Sequence, residues 1–301
     1  MAEAKPVSFT DNAHVKRVRS PFLISPNRMV NKAMYKSFYS LARTPFPKDI
    51  DPKDAFPSEN YLGALKALDY LKRSKGIGLI IGESGAGKTF ILRSFTESLN
   101  RSLYHIVYHP LSTGGVMDFY RAIAYGLGEE PKYRKVEVFR QIQQGIERMS
   151  SERNITPVFI LDEMHLAKDA FLQDIALLFN FRMDSTNPFI LILSGLPYLK
   201  TRLSLNHHRP LAQRMIMKYE VQPLSREEVS EYIHHHLELA GAKMPIFTEP
   251  AIEAIALRSQ GWPRVVNHLT INSLLYGAQM QKKQIDEEVV RMAIEDSQIV
   301  V

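Results

Sequence analysis

The sequence predicts an α/β protein: a five-stranded parallel sheet between helices, followed by an all-helical C-terminal domain. Three observations lead to this prediction. Between about residues 76 and 224, short apolar runs alternate with segments of helical periodicity. A glycine-rich loop separates the first run from the first helical segment, and after Leu224 the periodicity is helical only. Continuous apolar strands separated by helices are typical of a parallel sheet covered on both faces.

Five apolar runs, such as PVFILD and PFILILSG, predict the strands of the sheet. They lie at 77–82, 103–109, 157–162, 188–195 and 215–224. The helices between them are expected at 89–99, 115–127, 136–150 and 169–183.

The C-terminal helices start with a capping box, in which Glu228 follows Ser225 by three residues. They are expected at 225–241, 248–261, 263–279 and 286–297. Together these patterns predict three parts of the chain. The parts are a basic flexible arm at 1–33, an α/β nucleotide-binding core at 34–222 and a helical lid at 223–301.

The composition is that of a soluble globular protein. Hydrophobic residues make up 45% of the 301 residues and charged residues 23%. Cysteine is absent, which excludes disulfides, thiolate metal sites and a cysteine nucleophile. The N-terminus lacks the apolar core of a signal peptide, and no apolar run reaches the ~20 residues that span a bilayer. We therefore expect a protein of the bacterial cytoplasm that does not contact a membrane.

The net charge of +6 is concentrated at the N-terminus. Residues 1–33 contain six lysine and arginine residues but only two acidic ones. Such an arm is expected to be disordered alone and to grip a polyanion. A solvated leader or an added extension explains the same pattern, and Met34 is an alternative start.

The loop after the first strand matches the pattern G-x4-G-K-[ST] in full. It consists of Gly82, Glu83, Ser84, Gly85, Ala86, Gly87, Lys88 and Thr89. Glycines allow backbone N–H groups to surround a phosphate, and the helix N-terminus adds its positive dipole. Lys88 is expected to bind the β- and γ-phosphates, and the Thr89 hydroxyl a Mg²⁺ ion. This loop is called the cradle below.

Two acidic residues follow the third predicted strand. Asp162 stands at its carboxyl end, where open α/β sheets bind ligands. A carboxylate there can hold Mg²⁺, usually through water. The adjacent Glu163 can orient and deprotonate the attacking water, because phosphoryl transfer needs mainly positioning and charge neutralisation.

Three further polar residues are weaker candidates. Ser194 ends the fourth strand and could sense the γ-phosphate or hold the water. Arg214 precedes the fifth strand and could reach into a neighbouring subunit. Arg264 begins a lid helix and could contact the nucleotide from above. A surface salt bridge is the usual alternative for each arginine.

The nucleotide is expected to be ATP. A guanine-specific site would need N-K-x-D after the cradle, and the sequence has only NKAM at 31–34, upstream and without the Asp.

The whole set of motifs resembles the AAA+ ATPases and, within them, the ExeA-like branch. The similarity covers about residues 38–297. Its more specific pieces are TPF at 44–46, LFNFRMDS at 178–185, LILSGLP at 191–197, LAQRM at 211–215, HHHLELAGAKMPIFTEPAIEAI at 234–255 and GWPRVVNHL at 261–269. The branch includes the general-secretion-pathway ATPase and many transposon-encoded relatives.

The resemblance implies roles for the candidate residues. Arg214 would be an arginine finger acting in trans, Arg264 a lid sensor, and Asp162 and Glu163 the metal-site acid and the base. The adenine would lie between the lid and the segment from Thr44 to Phe46, close to Pro45. One departure is Ser194, because many AAA+ proteins have Asn or Thr at that position.

The absence of an anchor and of a peptidoglycan-binding module favours the transposon-encoded type. This type assembles on double-stranded DNA as an ATP-bound homo-oligomer, a ring or a filament, and recruits or activates a transposase, with or without a target-site recruiter. Candidate DNA contacts are Lys132, Arg134, Lys135, the loop containing Thr113 and the arm. A charged loop is also often merely solvated.

Three alternatives remain. A secretion or envelope-assembly ATPase would act on protein partners instead of DNA. A helicase is suggested by the sequence DEMH but needs two tandem cores. A module that binds ATP without hydrolysis is disfavoured by Glu163.

Two histidine clusters are expected to be exposed or capping imidazoles. His234, His235 and His236 are consecutive on a helix and fan out by ~100° each, which is poor metal geometry. His207 and His208 have no acidic residue near them in the sequence.

Overall fold

A computed structural model describes residues 34–110, 115–181 and 185–297. The strands are β1 Gly76–Gly82, β2 Tyr104–Pro110, β3 Thr156–Asp162, β4 Ile190–Gly195 and β5 Met215–Val221. They form one parallel sheet in the order β2-β3-β4-β1-β5. The predicted fold class and all five predicted strands are confirmed.

Helices surround this sheet. Those before and between the strands are α1 Glu59–Ser74, α2 Lys88–Ser98, α3 Val116–Gly126, α4 Lys135–Ser151, α5 Asp169–Leu178, α6 Tyr198–Leu203 and α7 Arg209–Gln213. Those of the C-terminal region are α8 Arg226–Leu239, α9 Glu249–Ser259, α10 Pro263–Gln279 and α11 Glu287–Ser297. The sequence analysis misses α1 and the short α6 and α7.

Parallel pairing brings the carboxyl ends of the strands to one edge of the sheet. Pro110 of β2 pairs with Asp162 of β3, and Gly195 of β4 pairs with Ile81 of β1. The cradle starts at this edge, directly after β1, and the acidic pair Asp162 and Glu163 follows β3.

Alternation along β3 decides which helix Asp162 faces. Val158 and Ile160 belong to the core cluster that contains Leu92 of α2. Phe159 and Leu161 belong to the cluster on the opposite face. Because side chains alternate with a period of two, Asp162 points to the α2 face, which is where the cradle leads.

The predicted helix 169–183 is too long, because α5 ends at Leu178. The ring of Phe179 leaves the helix and enters the core, with its centroid 5.2 Å from that of Phe159 and 4.8 Å from that of Phe189. Burial of this aromatic residue therefore overrides the helical periodicity. Residues 182–184 lie outside the described residues.

The predicted strand 215–224 also ends early, at Val221. Pro223 has no N–H group to donate to a neighbouring strand, which explains the shorter strand. The capping box of α8 is confirmed: Glu228 N–H donates to Ser225 Oγ at 3.1 Å, and Ser225 N–H donates to Glu228 Oε2 at 3.0 Å.

The C-terminal helices share a hydrophobic cluster with residues from the start of the described chain. Tyr35 and Leu41 are buried in it beside Ile233 and Leu269. Ala42 N–H donates to the carbonyl of Ala240 at 2.8 Å. The boundary at 222/223 stays a prediction, but the segment before α1 packs with the helical region.

No helix within the described ranges combines the length and apolar character needed to cross a bilayer.

His236 is buried in an aromatic cluster, which corrects the expectation of an exposed or capping imidazole for this residue. Only 3% of it is exposed, and its ring centroid lies 4.9 Å from that of Phe46 and 4.4 Å from that of Tyr232. Burial, together with the nearby His235, lowers the pKa of His236 to about 4. The histidine therefore stays neutral inside an aromatic cluster that joins α8 to the segment before α1.

Lowering the pH from 7 to 5 is expected to destabilise the fold through His236. An unfolded histidine has a pKa near 6.5, so between that value and about 4 the unfolded state binds more protons. The contribution of neutral His236 to the free energy of unfolding is complete above pH 6.5 and is lost as the pH falls. At pH 5 the loss amounts to ~2 kcal/mol. Urea unfolding of wild type and His236→Phe at both pH values measures it.

The control for this experiment is His234→Phe on the same helix. The pH-dependent loss of unfolding free energy should shrink in His236→Phe and persist in His234→Phe. Equal losses in wild type and His236→Phe would contradict the neutral, buried state of His236. At pH 5 the carboxyl of Asp169 remains ionised, because hydrogen bonds from Arg202 and His208 lower its pKa to about 2.

Candidate nucleotide-binding site

The cradle has the backbone conformation that a phosphate site requires. Gly85 and Gly87 adopt φ values of +85° and +93°, in the left-handed region that other residues avoid. Gly87 is the N-cap of α2, so the first N–H groups of the helix point into the loop. A Cβ at Gly85 would lie 2.5 Å from the Cβ of Arg264, so glycine is also required there for packing.

Lys88 places a buried positive charge at the centre of the cradle. The residue is 8% exposed, and its Nζ donates to the carbonyls of Gly82 at 2.7 Å and Glu83 at 3.0 Å. Burial lowers its pKa, while Glu163 and Asp162 act in the opposite direction. Among the described residues no carboxylate forms an ion pair with it, so its partners are neutral. A buried ammonium with neutral partners at the N-terminus of a helix fits a bound phosphate.

Thr89 and Asp162 supply the oxygen atoms that Mg²⁺ prefers. Thr89 Oγ1 donates to Asp162 Oδ2 at 3.1 Å, although the two residues are 73 positions apart in the sequence. Asp162 is 2% exposed, and its Oδ1 accepts the N–H of Glu163 at 2.9 Å. A hydroxyl and a carboxylate beside a phosphate site are ligands that suit Mg²⁺.

Glu163 stands beside this pair in an unusual conformation. Its φ is +58°, a left-handed value that costs ~1–2 kcal/mol in a residue other than glycine. Such strain concentrates at functional sites. The side chain is 48% exposed and so remains free to meet a water molecule, as a general base must.

Ser194 is completely buried next to these groups. Its Oγ has no hydrogen-bond partner within the described part of the chain. Ser194 pairs with Ile80 of β1, and by alternation it lies on the same face as Ile192, towards α2. An orphan hydroxyl at this edge fits a ligand or water, so its role stays a prediction with structural support.

Arg264 brings the helical region onto the cradle. Its Nη1 donates to Ser84 Oγ at 2.9 Å, and its backbone N–H donates to the carbonyl of Gly85 at 3.3 Å. The neighbouring Trp262 packs against the core cluster that contains Ala86. The predicted proximity of Arg264 to the cradle is thus present in a single chain.

Pro45 lies in a segment before α1 that contacts both α8 and α2. Pro45 is buried, Phe46 packs on His236, and Asp49 pairs with Arg93 of α2 at 2.7 Å. These contacts place the segment between the helical region and the helix that follows the cradle. The adenine site remains a prediction.

Arg214 is held within its own chain. Its Nη1 donates to the carbonyl of Ala176 at 2.7 Å, and its Nη2 donates to that of Phe179 at 2.6 Å. A guanidinium at the last carbonyls of α5 caps that helix. To reach a neighbouring subunit, Arg214 would have to leave these carbonyls, and the finger role stays a prediction.

The predicted DNA contacts separate into three groups. Lys132 and Arg134 are exposed on the loop before α4. Lys135 pairs with Asp174 at 2.7 Å and lies over the ring of Tyr120, so the structure gives it an intramolecular role. Thr113 and the arm at 1–33 lie outside the described residues.

Tyr108 contacts the candidate metal-site residue Asp162 and is not among the residues predicted from the sequence. It stands near the carboxyl end of β2, and its hydroxyl donates to Asp162 Oδ2 at 3.4 Å. Burial and the charge of Asp162 raise the pKa of Tyr108, so it stays protonated. The strand order could have revealed it, because β2 is the neighbour of β3.

The structure supplies an acidic partner for His207 and His208, which corrects the sequence expectation. His208 is buried, and its Nε2 lies 2.9 Å from Asp169 Oδ1; His207 Nε2 lies 3.7 Å from Oδ2. Arg202 donates to the same Oδ1 at 2.5 Å. This cation makes the cluster a poor metal site, and we interpret the cluster as a polar link that joins α5 to α6 and to the segment before α7.

The sequence of this chain is similar to those of known proteins. Residues 71–203 match a family model described as an AAA domain. The chain is 29% identical over 246 residues to general secretion pathway protein A of Aeromonas hydrophila. The aligned region covers 80% of this chain and 44% of that protein. The chain thus spans less than half the length of this curated relative.

Solved structures share the fold. Cdc6p from Pyrobaculum aerophilum has a TM-score of 0.63 at 17% identity and covers 88% of this chain and 72% of its own. Drosophila ORC bound to DNA has a TM-score of 0.64 at 14% identity, and the match covers 98% of this chain and 71% of that chain. The RuvB Holliday junction branch migration motor of Thermotoga maritima has a TM-score of 0.53 at 22% identity. The match covers 79% of this chain and 68% of that chain. At these identities the similarity concerns the fold alone.

Proposed function

We propose that this chain, which has the AAA+ P-loop fold, is a Mg²⁺-dependent ATP hydrolase that assembles on double-stranded DNA as a homo-oligomer. ATP would hold the assembly together and hydrolysis would loosen it. This is the behaviour of a nucleotide that binds one assembly state in preference to another.

The observation that carries the nucleotide part is the environment of Lys88. Its ammonium is buried with carbonyl partners only, next to a glycine turn that leads into the N-terminus of α2. A triphosphate would replace these carbonyls and neutralise the charge. No other described feature of the chain combines a buried cation with an N-terminal helix turn in this way.

Hydrolysis is assigned to the groups around Asp162. Thr89 and Asp162 would hold Mg²⁺, which when bound neutralises charge on the phosphates. Glu163, next to Asp162, would take the proton of the attacking water. Arg264 would stabilise the phosphates from the side of the helical region, where it already contacts Ser84.

The DNA part of the proposal is supported by similar folds and by positive charge. Drosophila ORC and the Aeropyrum pernix Orc1 protein, which share the fold, were solved with DNA. The chain carries a net charge of +6, and Lys132 and Arg134 are exposed. Contacts of this kind bind the phosphate backbone with little sequence preference.

Two classes of client protein are candidates. A transposase, with or without a target-site recruiter, follows from the sequence resemblance alone. A second candidate is an ATPase that acts on protein partners of a secretion or envelope-assembly system, and the similarity to general secretion pathway protein A is the observation behind it. Dependence of assembly on DNA separates the two candidates.

Sedimentation velocity with a non-hydrolysable ATP analogue and duplex DNA tests the proposal. We expect a large assembly only when analogue and duplex are both present. The double variant Lys132→Glu/Arg134→Glu should assemble less, whereas the charge-matched control Lys243→Glu/Lys283→Glu in the helical region should assemble normally. A chain that stays monomeric with both ligands in excess contradicts the DNA proposal, and assembly without DNA favours the second candidate.

Arg214→Ala is expected to bind ATP but to assemble and hydrolyse poorly. It should also lower the free energy of unfolding by ~1–3 kcal/mol, because two charged hydrogen bonds to α5 are lost. Arg209→Ala, an exposed arginine at the start of α7, is the matched control. If Arg209→Ala loses hydrolysis and Arg214→Ala keeps it, the arginine that acts in trans is Arg209 and not Arg214.

A further inference from the structure

His165 lies between the candidate base and the strand that carries Ser194. It belongs to the 3-10 turn Met164–Leu166 that follows Glu163, and its side chain is 14% exposed. Its Nδ1 lies 3.5 Å from Glu163 Oε2. The N–H of Leu196, two residues after Ser194, donates to the same Nδ1 at 3.4 Å.

One nitrogen atom therefore faces two competing partners. Without a proton, Nδ1 accepts the Leu196 N–H, and its lone pair repels the Glu163 carboxylate. With a proton, Nδ1 donates to Glu163 and cannot accept from Leu196. Each arrangement fixes Glu163 in a different relation to the end of β4.

The backbone of the turn that carries this imidazole is held by neighbouring segments. Arg202 Nη1 donates to the carbonyl of His165 at 3.1 Å, and the other end of the same guanidinium pairs with Asp169. A Cβ at Gly195 would lie 3.1 Å from the backbone nitrogen of His165, so the two segments are in close contact. The turn is thus clamped from both sides.

We propose that His165 is a positioning residue for Glu163 and that it couples the base to the β4–α6 turn beside Ser194. The proposal rests on the proposed ATP hydrolysis. His165 would orient the Glu163 carboxylate towards the attacking water. A positioning residue of this kind affects the rate of the chemical step more than it affects substrate binding.

Three substitutions separate this role from simple packing. His165→Leu keeps most of the side-chain volume but removes both ring nitrogens. His165→Asn keeps an amide near the position of Nδ1, which can accept from Leu196 or donate to Glu163. His234→Leu on α8 is the control for loss of a histidine elsewhere.

Single-turnover hydrolysis and binding of a non-hydrolysable ATP analogue are measured for each variant. We expect His165→Leu to lose ~10–100-fold in the hydrolysis rate with the Kd for the analogue unchanged. His165→Asn should stay within ~3-fold of wild type in both, as a partial replacement of the polar contact. The His234→Leu control should match wild type.

A second readout does not require turnover. In the nucleotide-free protein, Glu163→Gln should shift the imidazole ¹⁵N resonances of His165, because it removes the charge facing Nδ1. Unshifted resonances, or a His165→Leu variant that hydrolyses ATP at the wild-type rate, would overturn the inference. A wild-type protein without any turnover contradicts the proposed function itself, which distinguishes the two failures.

Discussion

Lys88→Ala is expected to abolish ATP binding, with the Kd weakened by at least ~100-fold. The lost group is a buried ammonium whose hydrogen bonds to a phosphate are charge-assisted, and bonds to charged groups contribute ~1.5–3 kcal/mol each. Isothermal titration calorimetry with a non-hydrolysable analogue measures the change. The exposed Lys66→Ala on α1 is the control, because it removes the same charge away from the cradle.

The same variant makes a second, opposite prediction for the nucleotide-free protein. Burial lowers the pKa of Lys88, which means that the folded chain holds this charge at a cost. Lys88→Ala should therefore unfold at the wild-type temperature or above it without ATP. Wild type should gain thermal stability from ATP and the variant should not. Wild-type affinity in Lys88→Ala would refute the assignment of the cradle.

Glu163→Gln is expected to keep ATP binding and to lose hydrolysis by ~10²–10⁴-fold, the usual contribution of a general base. The amide has the size of the carboxylate but cannot accept the proton of water. Phosphate release at saturating ATP measures the rate. The variant should also remain on duplex DNA after ATP addition, because the step that loosens the assembly is blocked.

The control for Glu163→Gln is Glu231→Gln, an exposed glutamate of α8. It should hydrolyse ATP at the wild-type rate and leave DNA normally. Turnover in Glu163→Gln close to that of wild type would remove Glu163 from the role of base. Loss of binding in the same variant would instead mean that the carboxylate holds the nucleotide or its metal.

The sheet and the cradle could be predicted from the sequence because their signals are local. The apolar runs alternate with helical segments within a few residues, and the glycine pattern of the cradle is contiguous. Asp162 could be placed at the carboxyl edge because parallel strands end together. The structure confirms this placement through the contact with Thr89.

The rest depends on contacts between distant segments. Asp169 meets His208 across 39 positions, and the sequence around His207 and His208 shows no acid. The early end of α5 depends on Phe189, which receives the ring of Phe179. Such contacts are decided by packing, which periodicity does not describe.

The arginines illustrate the same division. The position of Arg264 beside a Pro at a helix start is visible in the sequence, yet only the fold brings it to Ser84, 180 positions away. Arg214 shows the converse. The motif around it suggests a role in a neighbouring subunit, but its guanidinium binds the carbonyls of Ala176 and Phe179 at the end of α5. A sequence motif gives the residue, and the fold decides what the side chain reaches.

The central claim is that the cradle binds ATP through Lys88, with Thr89 and Asp162 at the metal. A crystal structure with Mg²⁺ and a non-hydrolysable ATP analogue tests it most directly. The account predicts that Lys88 Nζ leaves the carbonyls of Gly82 and Glu83 for the phosphates, with Mg²⁺ at about 2.1 Å from Thr89 Oγ1. An analogue bound elsewhere, or Lys88 still bonded to both carbonyls beside a bound analogue, would contradict it.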